Sequence, residues 1–209
     1  SKDAGTIDRI GISASLLPRA KGTEGERMSM EADSIYSSAS EKGILISLEE
    51  NDRGDTCKIT LSPERRFCTY RLKIMNIDNQ QNLSSSIAGS ISDLAGGINL
   101  STGEKTAAKV TIPFAVGTTN KSTLEGQLRC YGNSPSEDAA NYLVIYTVLK
   151  DGTKWCYIYD VTKQIKEAPN PYEVEIVLDK LPVPTNIGGN SGFTPGVSDW
   201  NIIEIPIVM

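Results

Sequence analysis

Apolar and polar residues alternate with a period of two along much of the chain. The segment "STLEGQLRCY", residues 122–131, has an apolar face and an opposite face with Glu, Gln and Arg. The segments "KVTIPFAVG" and "YEVEIVLD" show the same alternation. This pattern predicts strands with one buried face. The residues predicted to point inward are Val110, Ile112, Phe114, Val116, Leu124, Gly126, Leu128, Cys130, Tyr172, Val174, Ile176 and Leu178.

The segment "NYLVIYTVLK" differs because it is apolar on both faces. A strand that is buried on both sides has this composition, so the segment predicts a central strand. Asp151 and Gly152 follow it and precede a second apolar run, residues 155–159. An Asp-Gly pair between two such runs predicts a β-hairpin.

One short helix is predicted within "DVTKQIKEAPNP". Asp160 or Thr162 can cap its N-terminus, and Ile165 would face inward. Pro169 and Pro171 would end it, because proline cannot continue a helix.

The other predicted strands span residues 7–16, 43–48, 56–61, 69–77 and 200–208. Pro206 lies inside the last of them, which favours an edge position or a bulge. Strands at this spacing, with Gly, Pro or Asn between them, predict an all-β fold: an antiparallel β-sandwich or barrel of Greek-key type with one short helix.

The first 52 residues are polar and have no clear period. We interpret residues 1–52 as a linker or the remnant of a preceding β-domain, and residues 53–209 as the β-sandwich domain.

Composition excludes several kinds of site. The chain has no histidine, which excludes Ser-His-Asp and Cys-His catalysis and His-ligated metals. Its net charge is −5 and its 21 Lys and Arg form no basic block, which argues against nucleic acid as a partner. The four cysteines are too widely spaced for a zinc site. We interpret most of them as buried thiols, and one or two disulfides are the alternative.

The segment "SSSIAGSISDLAGGINLSTGE", residues 84–104, could be taken for a phosphate loop or a nucleophile turn. Its glycines are spread out, it has no Gly-Lys pair, and it lacks the G-x-S-x-G spacing. It therefore predicts a strand and a turn, with burial supplied by Ile87, Ile91 and Leu94. The tripeptide Arg53-Gly54-Asp55 reads as an ordinary turn.

Several of these segments, in this order, resemble the fimbrillin-like surface lipoproteins of Bacteroidetes-type bacteria, particularly the anchoring or accessory subunits of minor fimbriae. The matching segments are "YRLKIMNIDN", residues 84–104, "KVTIPFAVG", "LEGQLRCYG", the Asp151-Gly152 hairpin and "GGNSGFTPGVSDW". The resemblance implies a transthyretin-like β-sandwich. It also implies export to the outer membrane, with a lipid anchor on an N-terminal cysteine that this sequence does not contain.

The resulting hypothesis is a non-enzymatic surface protein for fimbrial anchoring, assembly or cell adhesion, which binds fimbrial subunits by strand addition at a sheet edge. The alternative is a carbohydrate-binding surface lipoprotein of a glycan-uptake system. Exposed, clustered Trp and Tyr would favour that alternative, whereas we expect Trp155 and Trp200 to be buried. A histidine-free hydrolase that relies on carboxylates is a third hypothesis. We expect no catalytic, cofactor-binding or metal-binding residues.

Overall fold

The structure is a computed structural model that describes residues 6–7, 12–13, 17–38, 60–120, 122–185 and 200–206. Several predicted features lie outside these residues: the strand at 43–48, most of those at 7–16 and 56–61, the tripeptide at 53–55, Cys57, and most of "GGNSGFTPGVSDW". The described strands are β1 (Thr6–Ile7), β2 (Ile12–Ser13), β3 (Arg27–Met28), β4 (Tyr36–Ser37), β5 (Glu64–Arg65), β6 (Cys68–Ile74), β7 (Leu83–Ala95), β8 (Lys109–Asn120), β9 (Thr123–Cys130), β10 (Tyr142–Leu149), β11 (Lys154–Asp160), β12 (Glu173–Leu178) and β13 (Trp200–Ile205), and the helix is α1 (Thr162–Lys166).

Nine of these strands form one sheet in the order β12-β6-β9-β8-β7-β10-β11-β13, with β3 added beside β8. The all-β class and the single short helix are confirmed. The prediction of a purely antiparallel sandwich is wrong, because β12 pairs with β6, β13 with β11 and β3 with β8 in parallel. Parallel partners need long connections, and a strand alternation read locally carries no information about them.

The sheet curls into a half-barrel because β8 changes its neighbour along its length. Its first part pairs with β7, from Lys109 to Ala115, and its second part pairs with β9, from Val116 onward. The β6-β9-β12 part and the β7-β10-β11 part therefore enclose a common core. Inward side chains of all these strands share that core, including Leu72, Leu128, Ile176, Ile91, Ile145 and Tyr157.

A single aromatic ring is packed at the strand where the sheet divides. Phe114 on β8 lies against Gly89 of β7 and Gly126 of β9, and a Cβ on these glycines would lie only 2.6 and 2.8 Å from its ring. The glycines thus make room for the ring. This agrees with the interpretation of residues 84–104 as a strand whose small residues allow close packing.

The inward positions read from the alternation are largely confirmed. Those on β8 and β9 are buried apart from Gly126, and Val174, Ile176 and Leu178 are buried on β12. Tyr172 was predicted inward but is 44% exposed, because it precedes the strand. Ile87, Ile91 and Leu94 are buried as expected.

The hairpin, the helix and the last strand lie where the sequence predicts them. β10 and β11 pair around Gly152, and Ile165 is buried on α1. The predicted cap is wrong, because the N-cap residue is Val161 and has no side-chain capping bond; the Asp160 carboxylate, one residue earlier, accepts a hydrogen bond from the Thr162 N–H at 3.0 Å. β13 lies at one end of the sheet order and ends at Ile205, directly before Pro206, as expected for an edge strand.

Candidate interaction surface

Residues 17–38, here called the N-terminal strap, cover the outer face of the sheet. Leu17 and Ala20 pack with Tyr146 and Ile158 in a second apolar cluster. The Tyr146 hydroxyl donates a hydrogen bond to the Pro18 carbonyl at 2.7 Å. β10 is therefore buried on both faces, as its composition predicted, and the strap supplies the outer cover.

The strap also fills the gap that opens where β8 leaves β9. Within it, β3 pairs with β8, and the Ser29 N–H donates to the Thr111 carbonyl at 3.0 Å. Further along, the Ala32 N–H donates to the Arg129 carbonyl on β9 at 2.9 Å. The backbone groups on both sides of the divided sheet are thus bonded to the strap.

Glu26 fixes the strap to an irregular point of β7. The β7–β8 register shifts between Ile91 and Leu94, and Asp93 there has a positive φ of 55°. The Glu26 carboxylate accepts hydrogen bonds from the Asp93 N–H at 3.1 Å and from the Thr111 hydroxyl at 2.8 Å. It therefore satisfies a backbone donor that the bulge removes from the strand ladder.

The Glu26 carboxyl lies beside the carboxylate of Asp93. Burial, and to a smaller extent the charge of Asp93, raises the pKa of Glu26 above its usual value. Asp93 itself is paired with the Lys109 ammonium at 2.8 Å. The Glu26 carboxyl therefore holds the strap, and Lys109 compensates the charge of the Asp93 carboxylate beside it.

The outer edge of β12 has no strand beside it among the described residues. The Thr69 and Met75 N–H groups of the β6 side donate to the carbonyls of Tyr172 and Leu178. In this parallel register, even-numbered residues of β12 bond to β6, and the backbone groups of Glu173, Glu175 and Val177 point away from it. The outer side of β12 thus carries backbone groups that no described strand bonds.

The side chain of Gln164 occupies one position of that edge. Its amide donates to the Val177 carbonyl at 3.1 Å and accepts from the Val177 N–H at 2.9 Å. The two bonds reproduce those that a neighbouring strand would make. Between α1 and β12 lies an open groove of about 470 Å³, which Gln164, Pro169, Asn170, Glu173, Glu175 and Val177 line in part.

Charged groups mark the start of this edge. The Glu173 carboxylate forms ion pairs with both Arg65 and Arg71. These contacts, above all the hydrogen bond from Arg65, lower the pKa of Glu173. Glu173 therefore stays ionised at neutral pH beside the open edge.

The two tryptophans are partly buried rather than fully buried, and each packs on a tyrosine. Trp155 stacks on Tyr157 at a centroid distance of 6.5 Å, and Trp200 contacts the Tyr146 ring edge-on at 5.6 Å. Neither therefore forms an open platform for a sugar ring.

Comparison with known proteins places the chain in a family. Residues 3–115, more than half of its 209 residues, match a family model described as a domain of unknown function, DUF5119. The chain belongs to this family. The match includes the strap, in which the sequence analysis found no periodic pattern, and it crosses the proposed domain boundary at residue 52. That boundary stays a prediction. No curated protein matches the chain.

The half-barrel is also present in a solved structure of a bacterial protein. A candidate adhesin from Bacteroides ovatus superposes with a TM-score of 0.52 at 18% identity, over 79% of this chain and 64% of the adhesin chain. The DUF5119 protein thus spans less than two thirds of the adhesin's length and shares its fold. This shared fold agrees with the fimbrillin-like resemblance. The fimbrial anchor protein Mfa2 of Porphyromonas gingivalis gives a TM-score of 0.38 at 11% identity, over 63% of this chain and 48% of that one.

Two parts of this surface were not anticipated from the sequence. Residues 1–52, which include the strap, are predicted to be a linker or the remnant of a preceding β-domain. The two hydrogen bonds of Gln164 to Val177 are not predicted. The only sequence signal for the strap was the apolar outer face of "NYLVIYTVLK", which needs a cover. For Gln164 no local signal exists, since its partner lies 13 residues away across a turn.

Proposed function

We propose that this DUF5119 protein is a non-enzymatic surface protein that acts in fimbrial anchoring or assembly or in cell adhesion. It binds a fimbrial subunit by strand addition at the outer edge of β12. As the fimbrillin-like resemblance implies, the proposal includes export and attachment to the outer membrane through an N-terminal lipid outside the given sequence. Among the described residues, no helix is long and apolar enough to cross a membrane.

The observation that carries this proposal is the unpaired edge of β12. Exposed strand edges are usually blocked by charges, prolines or covering segments, since they can otherwise pair with other chains. Here the strand has no proline, the charge of Glu173 is paired with Arg65 and Arg71, Glu175 carries the other charge of the edge, and one glutamine amide bonds to Val177. The backbone of Glu175 is left for a partner. An incoming strand would displace Gln164 and enter the groove beside α1.

The fold supports the same proposal, because a candidate adhesin from Bacteroides ovatus is built in the same way. The glycan-binding alternative lacks comparable support, since both tryptophans pack on tyrosines of the sheet.

Strand addition can be tested with a proline at the position whose N–H points outward. Glu175→Pro removes the donor that a partner strand would use and leaves the β6 ladder intact. Glu175→Thr is the matched control, because it removes the same charge and keeps the N–H. Both variants would be expressed in the native host and crosslinked mildly at the cell surface, and their complexes would be isolated and identified by mass spectrometry.

We expect fimbrial subunits with the wild type and with Glu175→Thr, and at least a tenfold lower recovery with Glu175→Pro. The thermal unfolding of the purified variants shows whether both remain folded. Recovery of glycan-uptake proteins alone would contradict the proposed function. Equal recovery of fimbrial subunits by the two variants would contradict the β12 edge as the site.

A further inference from the structure

Cys68 and Cys130 lie directly opposite each other at the end of the β6–β9 pair. The neighbouring pair, Thr69 and Arg129, has its backbone groups turned outward: the Thr69 N–H donates to Tyr172 and the Arg129 carbonyl accepts from Ala32. The two cysteines therefore occupy a hydrogen-bonded pair of the antiparallel ladder. In such a pair the Cα atoms are about 5.5 Å apart, which lies within the range of about 4.4–6.8 Å found in disulfides.

Both sulfur atoms are directed toward the same small space beside Gly132. The Gly132 N–H donates to the Cys130 sulfur at 3.3 Å, and a Cβ on Gly132 would lie 3.1 Å from the Cys68 sulfur. Both side chains belong to the inner core. Gly132 has a φ of +87°, and a Cβ there would also lie 2.6 Å from the Lys105 ammonium nitrogen, so the glycine lets this ammonium and both sulfur atoms, which are free thiols in the structure, lie close together.

We propose that Cys68 and Cys130 form a cross-strand disulfide when the protein folds in an oxidising environment. The reaction needs an oxidant of the disulfide class. One thiolate attacks the oxidant's S–S bond and releases one thiol, and the second thiolate then displaces the other. The two cysteines lose two protons and two electrons, and the oxidant is reduced to two thiols.

Burial determines when this reaction occurs. It raises the pKa of Cys130 to about 12 and also raises the pKa of Cys68. Because the thiolate is the reactive form, the folded and reduced protein should react slowly. The bond should form instead while the strands assemble, before the core closes around both sulfur atoms.

The other described cysteine provides an internal control. Cys156 is buried in the outer apolar cluster with Val144 and Tyr146, away from the inner core that holds the pair. Its burial also raises its pKa to about 12. Because its cluster contains no second cysteine, it should remain a thiol under conditions that oxidise the pair.

Trypsin places each of the four cysteines in a separate peptide, with cleavage expected to give residues 54–58, 67–71, 130–150 and 155–163. The test is to refold the denatured, reduced protein in a glutathione redox buffer, block remaining thiols with iodoacetamide, and map the tryptic peptides without reduction. We expect peptide 67–71 linked to peptide 130–150, with a mass lower by two hydrogens than the sum of the two. Peptide 155–163 should be alkylated.

A second measurement follows the effect of the bond on the fold. The disulfide would close the loop of chain between Cys68 and Cys130. This should raise the Tm of the oxidised protein by about 10 °C relative to the reduced one. Cys130→Ala should abolish that difference, and Cys156→Ala should keep it. Alkylation of both Cys68 and Cys130 after refolding, or a link from either of them to Cys57, would overturn the proposal.

Discussion

The N-terminal strap and the outer edge of β12 differ in how the protein covers the exposed parts of its sheet. At the strap, a segment of backbone fills the gap between β8 and β9 and covers the outer face. At β12, a single side-chain amide bonds to one residue of an edge strand. One region has been sealed by the protein's own chain. At the other, the described residues bond the Glu173 N–H to the Asn170 carbonyl and Val177 to Gln164, and leave the backbone of Glu175 open.

The difference bears on the proposed strand addition, because a partner would displace different contacts in the two regions. Displacing the strap would expose the apolar residues around Tyr146 and leave the Asp93 N–H without an acceptor. Displacing Gln164 exposes only groups that water can bond. A partner strand therefore competes with two solvent-exposed hydrogen bonds at β12, and with a buried interface at the strap.

The comparison is tested most strongly by removing one tyrosine from each region. Tyr146→Ala should lower the free energy of unfolding by about 3–5 kcal/mol, because it leaves a cavity under the strap. Tyr172→Ala, directly before β12, should lower it by about 1 kcal/mol or less, since 44% of the residue is already exposed. Urea denaturation measures both. Similar losses for the two variants would mean that the strap does not seal the sheet.

Glu26 offers a more local test of the sealed region. Glu26→Ala leaves the Asp93 N–H and the Thr111 hydroxyl without their acceptor, and should cost about 2 kcal/mol of unfolding free energy. Glu24→Ala is the control on the same strap, because Glu24 is exposed and bonds only to the Gly22 N–H. Denaturation curves that show equal stability for the two variants would remove Glu26 as the residue that fixes the strap.

Strands with one buried face could be predicted from the sequence because their apolar residues recur with a period of two, as in the segments that became β8, β9 and β12. β10 was predicted from an apolar run that covers both faces, and the turn after it from Asp151-Gly152. Neighbour relations between strands could not be predicted in the same way. The parallel pairing of β12 with β6 joins residues about 100 positions apart, and nothing local in "YEVEIVLD" specifies its partner.

For the proposed interaction surface, the kind of site could be predicted but its position in the sheet could not. An unpaired sheet edge was expected from the resemblance, but its location depends on which strand is last in the sheet. The strap was not predicted because few of its residues make the contacts that hold it on the sheet. Leu17, Ala20 and Glu26 act through long-range contacts and show no periodic pattern.

The pH dependence of stability gives a smaller effect at the sealed region. Because the pKa of Glu26 is raised in the folded state, the folded protein binds a proton more tightly there than the unfolded chain does. Glu26 should therefore stabilise the fold least at neutral pH and more as the pH falls through its raised pKa toward the usual value. The stability of the wild type minus that of Glu26→Gln should fall as pH rises through this window. A difference that rises with pH would contradict the assignment.

The smallest effect is expected at the open edge, from Gln164→Ala. Its two bonds to Val177 are replaced by water, so the unfolding free energy should fall by less than about 1 kcal/mol. The Val177 amide should nevertheless exchange its hydrogen faster. Lys166→Ala, an exposed position of α1 outside the groove lining, should leave that exchange rate unchanged. If strand addition uses this edge, Gln164→Ala should also recover more of the crosslinked partner than Lys166→Ala, because Val177 no longer has to be released. A lower recovery would mean that Gln164 belongs to the binding surface and does not compete with the partner.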